Sequence, residues 1–139
     1  MSGKDMKGAF MPEAKLRLND LPDANMEDAI LIQADMLGCD LSGANLKNAD
    51  LTGVDLTDAD LTGATLVGTN LKRARLRGAN FSNADLTGAN LQNTDLFQAN
   101  FKGARIDLET FDISGARDWQ KATWDEPVLE ALKAKFGSK

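Results

Sequence analysis

Aspartate is the side chain of this sequence best placed to do chemistry. Asp20, Asp40 and Asp60 stand twenty residues apart, and Asp50, Asp55, Asp85 and Asp95 fall on the same five-residue grid. Carboxylates brought close can act as acid and base or hold a divalent cation. The opposite cluster is Lys72, Arg73, Arg75 and Arg77, four cations within six residues that could face an anion. A lone thiol, Cys39, has no cysteine to pair with, and the chain has no histidine. No phosphate-cradling loop is present either, because the spacing of Gly43, Gly53, Gly63 and Gly88 does not fit G-x-G-x-x-G. Carboxylates recurring at such a strict interval are already explained by a repeating backbone. Neither an enzyme, a metal centre nor a cofactor is therefore expected.

The interval itself is the strongest signal. Every fifth residue from Leu16 to Phe111 is large and apolar, which makes 20 consecutive positions without insertion or deletion. Two residues before each lies a small one, as in Ala24, Ala29, Ala34, Cys39 and Ala44, a series that runs on to Ala104 with Val54, Thr69 and Thr94 as exceptions. Asp or Asn commonly precedes the large residue, and polar residues or Gly follow it, so the consensus is A-(D/N)-L-x-x. A period of five matches neither the 3.6 of a helix nor the 2 of a strand. The chain must turn at every repeat, pointing the large and the small apolar side chain at one axis. Each large side chain so buried is worth roughly 1.5 to 3 kcal/mol before ordering entropy is subtracted. In its small inward slot Cys39 reads as a packing residue.

This pattern resembles the pentapeptide-repeat family over about Ala14 to Ile113. The resemblance implies an all-β solenoid, a right-handed quadrilateral β-helix in which four repeats close one coil. Twenty repeats then give about five coils. Residues 1–13 are expected to form an N-terminal segment or cap, 14–113 the β-helix, and 114–139 a partial coil plus a C-terminal capping helix. After Phe111 the register is expected to slip by two, since Ile113-Ser114-Gly115-Ala116 lies off the series. Asp125-Glu126-Pro127 has the signature of a helix start, Val128, Leu129, Leu132 and Phe136 mark one apolar helical face, and Gly137 suits its end. With Trp119 and Trp124, Leu129, Leu132 and Phe136 are candidates for a cap on the open coil. In the family such a helix also forms homodimer contacts, so a dimer through it is a second expectation.

Surface residues twenty apart should stack. Asp20, Asp40 and Asp60, continued by Asn80 and Asn100, form one column, and Asn25, Asn45, Thr65, Asp85 and Arg105 the next. Asp20, Asp40, Asp60, Lys72, Arg73, Arg75 and Arg77 are thus candidates for a partner surface, against the plainer reading of a solvated face. Ile32, Leu37, Val67 and Phe97 read as scattered exposed apolar positions.

The formal charge of −5 disfavours direct binding to nucleic acid or an anionic membrane. No run approaches the roughly 18 to 20 apolar residues of a membrane span, and Met1–Phe10 lacks the apolar core of a secretory signal. The expected compartment is the cytoplasm, and such repeats are especially abundant in bacteria. A non-enzymatic structural or protein-interaction module with an unknown protein partner is the expected function. The alternative, implied by the quinolone-resistance members of the family, is a DNA mimic that binds DNA gyrase or topoisomerase.

Overall fold

The computed structural model describes residues 3–137. One pentapeptide shows why the consensus folds as it does. In Ala59-Asp60-Leu61-Thr62-Gly63 the N–H of Leu61 donates to Asn80 O at 2.7 Å and that of Gly63 to Ser82 O at 2.9 Å, both one coil further on. The N–H of Asp60 donates back to Cys39 O at 2.9 Å. A turn closes when Ala64 N donates to Leu61 O at 3.0 Å. Only the Thr62 N–H remains, and the Asp60 carboxylate accepts it through Oδ1 at 2.9 Å. All backbone donors are thereby satisfied, the condition a buried backbone must meet. The Asp or Asn of the consensus is thus a structural acceptor before it is a surface charge.

Each corner requires a positive φ at the second residue after the large one, with the bond from residue i+3 to residue i of a type II turn. Gly38, Gly43 and Gly53 adopt it at 67 to 69°, as do Asp23, Asn48 and Asp58 at 58 to 59°. Gly and Asn or Asp are the residues that reach this region most easily.

Single parallel bridges, rather than long strands, join the coils along four faces. The first face carries Asp5, Asn25, Asn45, Thr65, Asp85 and Arg105; the second Phe10, Ile30, Asp50, Asn70, Asn90 and Asp112. Lys15, Asp35, Asp55, Arg75, Asp95 and Arg117 form the third, and Asp20, Asp40, Asp60, Asn80, Asn100 and Thr123 the fourth. Among the described residues every face therefore has six rungs, and five steps of about 4.8 Å separate the first from the last. The sixth coil comes from both ends: in the stretch expected to be an N-terminal segment or cap, Asp5 and Phe10 pair with Asn25 and Ile30, and beyond residue 113 Arg117 and Thr123 pair with Asp95 and Asn100. Met6 and Met11 point toward the axis there.

Inside, the two registers form a continuous core. Leu41, Leu46, Leu51, Leu56, Leu61 and Leu66 are fully buried, and Ala44, Ala49, Ala59 and Ala64 fill the small slots between them. Polar residues in those slots turn their hydrogen inward to a backbone carbonyl: Cys39 Sγ to Leu16 O at 2.7 Å, Thr69 Oγ1 to Leu46 O at 2.7 Å and Thr94 Oγ1 to Leu91 O at 2.8 Å. Burial pushes the Cys39 thiol pKa up, which makes the thiolate scarce.

The register shifts earlier than the sequence suggests. Bridges twenty apart hold up to Asp85 and Arg105, but Asn90 pairs with Asp112, twenty-two away. Two extra residues therefore lie between Arg105 and Asp112, where Thr110 N and Phe111 N both donate to Asp107 O, at 3.1 and 2.8 Å. Phe111 consequently falls in the small-residue column, and Ile113 takes the large slot stacked on Leu91. Ile106, which continues the series in sequence, is only half-buried. A third extra residue enters at Asp118, in the left-handed region at φ 57°, ahead of a short 3-10 turn at Trp119–Lys121.

Trp124 then closes the aromatic end of one column. Phe81 stacks on Phe101 with centroids 4.9 Å apart, and Phe101 on Trp124 at 4.3 Å. Helix α1, Glu126–Phe136, lies over this end. Leu132 is buried at 1% exposure, Val128, Leu129 and Phe136 are half-buried against the core, and Trp119 and Trp124 are buried beneath. Asp125 at the helix N-cap accepts the Gly103 N–H at 3.0 Å, and Lys135 Nζ donates to Leu108 O and Phe111 O at 3.3 Å each. The helix is thereby fastened to both the last coil and the inserted loop. Among the described residues no helix is long and apolar enough to cross a membrane.

Two packing predictions follow from the small slots and the corners. Ala79, fully buried between large side chains, should not accept leucine: Ala79→Leu is expected to cost about 1 to 3 kcal/mol by overpacking, read as a fall in the chemical denaturation midpoint. At the corners, Gly78 lies against the Asp58 carboxylate of the coil before, whereas nothing lies within 4 Å of a side chain added at Gly63. Both have positive φ, so Gly78→Asn should be less stable than Gly63→Asn by about 1 kcal/mol.

Candidate functional site

The three acidic candidates occupy one face, as their spacing implies. Asp20, Asp40 and Asp60 are successive rungs of the fourth face, close enough for like charges to repel. What holds two of them in place is local. Ser42 donates to Asp40 Oδ1 through N at 3.0 Å and Oγ at 2.7 Å, and Thr62 does the same to Asp60 at 2.9 and 2.6 Å. The same pair of bonds recurs at Asp50, Asp55, Asp85 and Asp112. Asn80 receives it equally well from Ser82, at 2.9 and 2.6 Å. The fold thus needs an amide or carboxylate oxygen here, not a charge.

These bonds stabilise the ionised form. The Ser42 hydroxyl, then its N–H, holds Asp40 below the usual carboxylate range; the Thr87 hydroxyl and N–H, with Arg105 nearby, do so for Asp85. The Ser114 hydroxyl and N–H lower Asp112, helped by Gln92, whose Nε2 donates to Asp112 Oδ2 at 2.7 Å. Among the described residues no group of three or more Asp, Glu, Cys or His converges to hold a metal ion.

The basic candidates divide between corner and face. Arg75 is a rung of the third face, where its guanidinium lies 3.9 Å from Asp55. Arg77 reaches Asp95 at 3.2 Å and covers the Phe97 ring with Cζ 4.6 Å from the centroid. Arg117 approaches the same Asp95 at 3.6 Å, and Lys121 Nζ lies 5.7 Å from the Phe97 centroid. Lys72 and Arg73 stand at the corner between the second and third faces. Along the third face the charges run Lys15, Asp35, Asp55, Arg75, Asp95 and Arg117, so most neighbours are opposite in sign. The cationic coil is therefore one step of a mixed-charge ladder, not an isolated positive patch. Ile32, Leu37, Val67 and Phe97 are half-buried rather than exposed.

This face also carries a concavity. A groove of about 570 Å³ is lined by Arg17, Gln33, Asp35, Thr52, Asp55, Arg73 and Arg75, together with Gly53 and Ala34. Thr52 and Gly53 are short, the coils on either side carry Gln33 and Arg73 with Arg75, and Arg17 comes from the coil before that of Gln33. Arg17 is held by Asp35, with Nη2 to Oδ2 at 3.1 Å. The Asp35 carboxyl is held below its ordinary range by the Leu37 N–H and by Arg17. Three guanidinium groups against two carboxylates leave the groove net positive on a chain of formal charge −5.

Sequence spacing brings Asp20, Asp40 and Asp60 together, and Arg73 with Arg75. It does not place Arg17 or Asp35 in the groove, although both lie on columns readable by counting twenties. The Asp95 cluster was hidden because Arg117 reaches it only through the inserted residues. Trp119, Trp124, Leu129, Leu132 and Phe136 all belong to the C-terminal seal.

A family model described as pentapeptide repeats matches residues 13–48, 39–78 and 66–103, with 8 copies. Compared with curated protein sequences, the chain matches none. Among solved structures it is similar to a pentapeptide repeat protein, Rfr23, from the cyanobacterium Cyanothece 51142, at 29% identity and a TM-score of 0.58, covering 89% of this chain and 90% of that one. A pentapeptide repeat protein of the Arabidopsis thaliana thylakoid lumen aligns at 30% identity over 84% and 79% of the two chains, with a TM-score of 0.32. QnrB1, a plasmid-mediated fluoroquinolone resistance protein, aligns at 16% identity over 99% and 86%, with a TM-score of 0.40. The fold is the right-handed β-helix of this group, with a C-terminal helix.

The carboxylate bonds make stability depend on acidity. Folded-state pKa values lowered relative to the unfolded chain add stability above the unfolded value, about 4, which is lost as pH falls through the folded values. The melting temperature is expected to be level above about pH 5 and to fall below about pH 4. A double variant, Asp40→Asn with Asp85→Asn, should melt close to the parent at neutral pH, since Asn80 makes the same bonds, and lose less on acidification. Asp40→Ala, which removes the acceptor, should cost about 0.5 to 1.5 kcal/mol at neutral pH.

Proposed function

The chain belongs to the pentapeptide-repeat family, and we propose that it works without catalysis, as a rigid rod that docks a protein partner along its third face. The groove between Arg17, Asp35, Asp55, Arg73 and Arg75 carries this reading. It is a net-positive depression on an otherwise acidic rod. Arg73 pairs with no carboxylate among the described residues, so its five donors are available to one supplied from outside. A partner segment bearing Asp or Glu fits this chemistry. The rigid ladder beneath favours such docking, because a surface already ordered loses little entropy on binding. The cytoplasm is the compartment in which we place this activity.

Mimicry of duplex DNA toward a topoisomerase fits the charges less well. Duplex DNA presents about one negative charge per 1.7 Å, so a rod about 24 Å long would need about fourteen. Residues 14–113 hold fifteen acidic and nine basic residues, a net of −6, and the groove places guanidinium groups near mid-rod.

The test is a capture experiment from host lysate with charge-reversed controls. A partner retained by the parent protein should be lost from Arg73→Glu, Arg75→Glu and kept by Asp20→Asn, Asp40→Asn, Asp60→Asn. The reverse pattern would move the partner to the fourth face. In a supercoiling assay with purified DNA gyrase, no inhibition and no protection from quinolone are expected at micromolar protein, and either effect would restore the mimic.

A further inference from the structure

The two ends of the rod are finished differently. At the C-terminal end α1, Trp119 and Trp124 cover the last coil. At the other end no helix among the described residues covers the first coil. Met6, Met11 and Leu16 are only half-buried, whereas Met26, Leu31 and Met36, one coil on, are at 0% exposure. Beside them Phe10 is 76% exposed and Leu18 68%. The backbone is open as well. Ile30 N and Asp35 N donate back to Ala9 O and Ala14 O, each at 2.8 Å, but the corresponding N–H groups of Phe10 and Lys15 have no coil beneath them among the described residues. Apolar side chains and unpaired donors thus share one flat end, the features of an edge that pairs with another edge.

We propose that the occupant is a second copy of this chain, the two rods meeting first coil to first coil about a two-fold axis. Three observations select it. The sealed C-terminal end blocks head-to-tail stacking, so the contact available to two copies is the self-complementary one, which closes at a dimer instead of growing into a fibre. Charge agrees: residues 3–20 contain four cations and three anions, net +1, which leaves −6 on the rest of a chain of formal charge −5. Two copies therefore repel least at this end, where each carries a net charge of only +1. A two-fold axis across the rod also sets the first coils antiparallel, and an antiparallel pair supplies each edge's donors with the other's carbonyls. This contact is distinct from a dimer through α1, where Leu132 is buried on the coil and Val128, Leu129 and Phe136 are half-buried.

Light scattering on the purified full chain tests the proposal. The parent should show twice the monomer mass at micromolar concentration, and Phe10→Glu with Leu18→Glu the monomer mass. Both side chains are exposed, so the variant should keep the parent's circular dichroism. Amide exchange supplies an independent reading, with the Phe10 and Lys15 N–H groups slowed in the parent and released on dilution or in the variant. A parent that is monomeric throughout overturns the proposal. So does a dimer that survives Phe10→Glu, Leu18→Glu and is lost in Leu132→Glu, Phe136→Glu.

Discussion

Everything in this molecule depends on the backbone returning to the same position after twenty residues. Only then does each amide find its carbonyl one coil away, as Leu61 does with Asn80 and Asp60 with Cys39. The return needs a turn at each fifth residue. It therefore needs a residue tolerant of positive φ at every corner, an oxygen acceptor for the one amide the ladder leaves over, and a large and a small apolar side chain facing the axis. The consensus is a statement of these four requirements in order. Wherever one is relaxed, another group compensates. Cys39, Thr69 and Thr94 stand in for alanine by turning their hydrogen to a buried carbonyl.

The same constraint separates what the surface must be from what it is free to be. Because Asn80 holds its turn as Asp60 does, charge on the four columns is independent of folding. The third face uses that freedom to set opposite signs side by side at all but the Asp35–Asp55 step, and the fourth accumulates aspartate toward one end. The mixed ladder and the dip at Thr52 and Gly53 give the rod a place of its own chemistry without any departure from the coil.

Counting in fives and twenties was enough to read the core and the stacked columns, and the Asp125-Glu126-Pro127 start with the apolar face behind it was enough to read the C-terminal helix. Counting failed where the count and the structure part company. Phe111 sits five after Ile106 and is apolar, so the count by fives continues, yet the residue two before it is Glu109, which no inward slot would take. That glutamate was the available sign that the coil had loosened. At the other end Met6 and Met11 keep the large series and Ala9 the small one, but with charged and aromatic neighbours the motif was too diluted to stand out. The link from Arg117 to Asp95 depends on a separation of twenty-two, which no regular count would supply.

A regular separation also shapes how such a chain acquires its structure. The bridges of the regular rod join residues twenty apart, so every closure is equally short and no step must wait for distant segments to meet. All-β proteins usually fold slowly because their pairings span the whole chain. Here a nucleus can form at any coil and advance by adding one neighbour at a time. The tryptophans and α1 arrest that advance at one end, so breathing motions belong to the opposite end and leave the middle of the ladder the last to open.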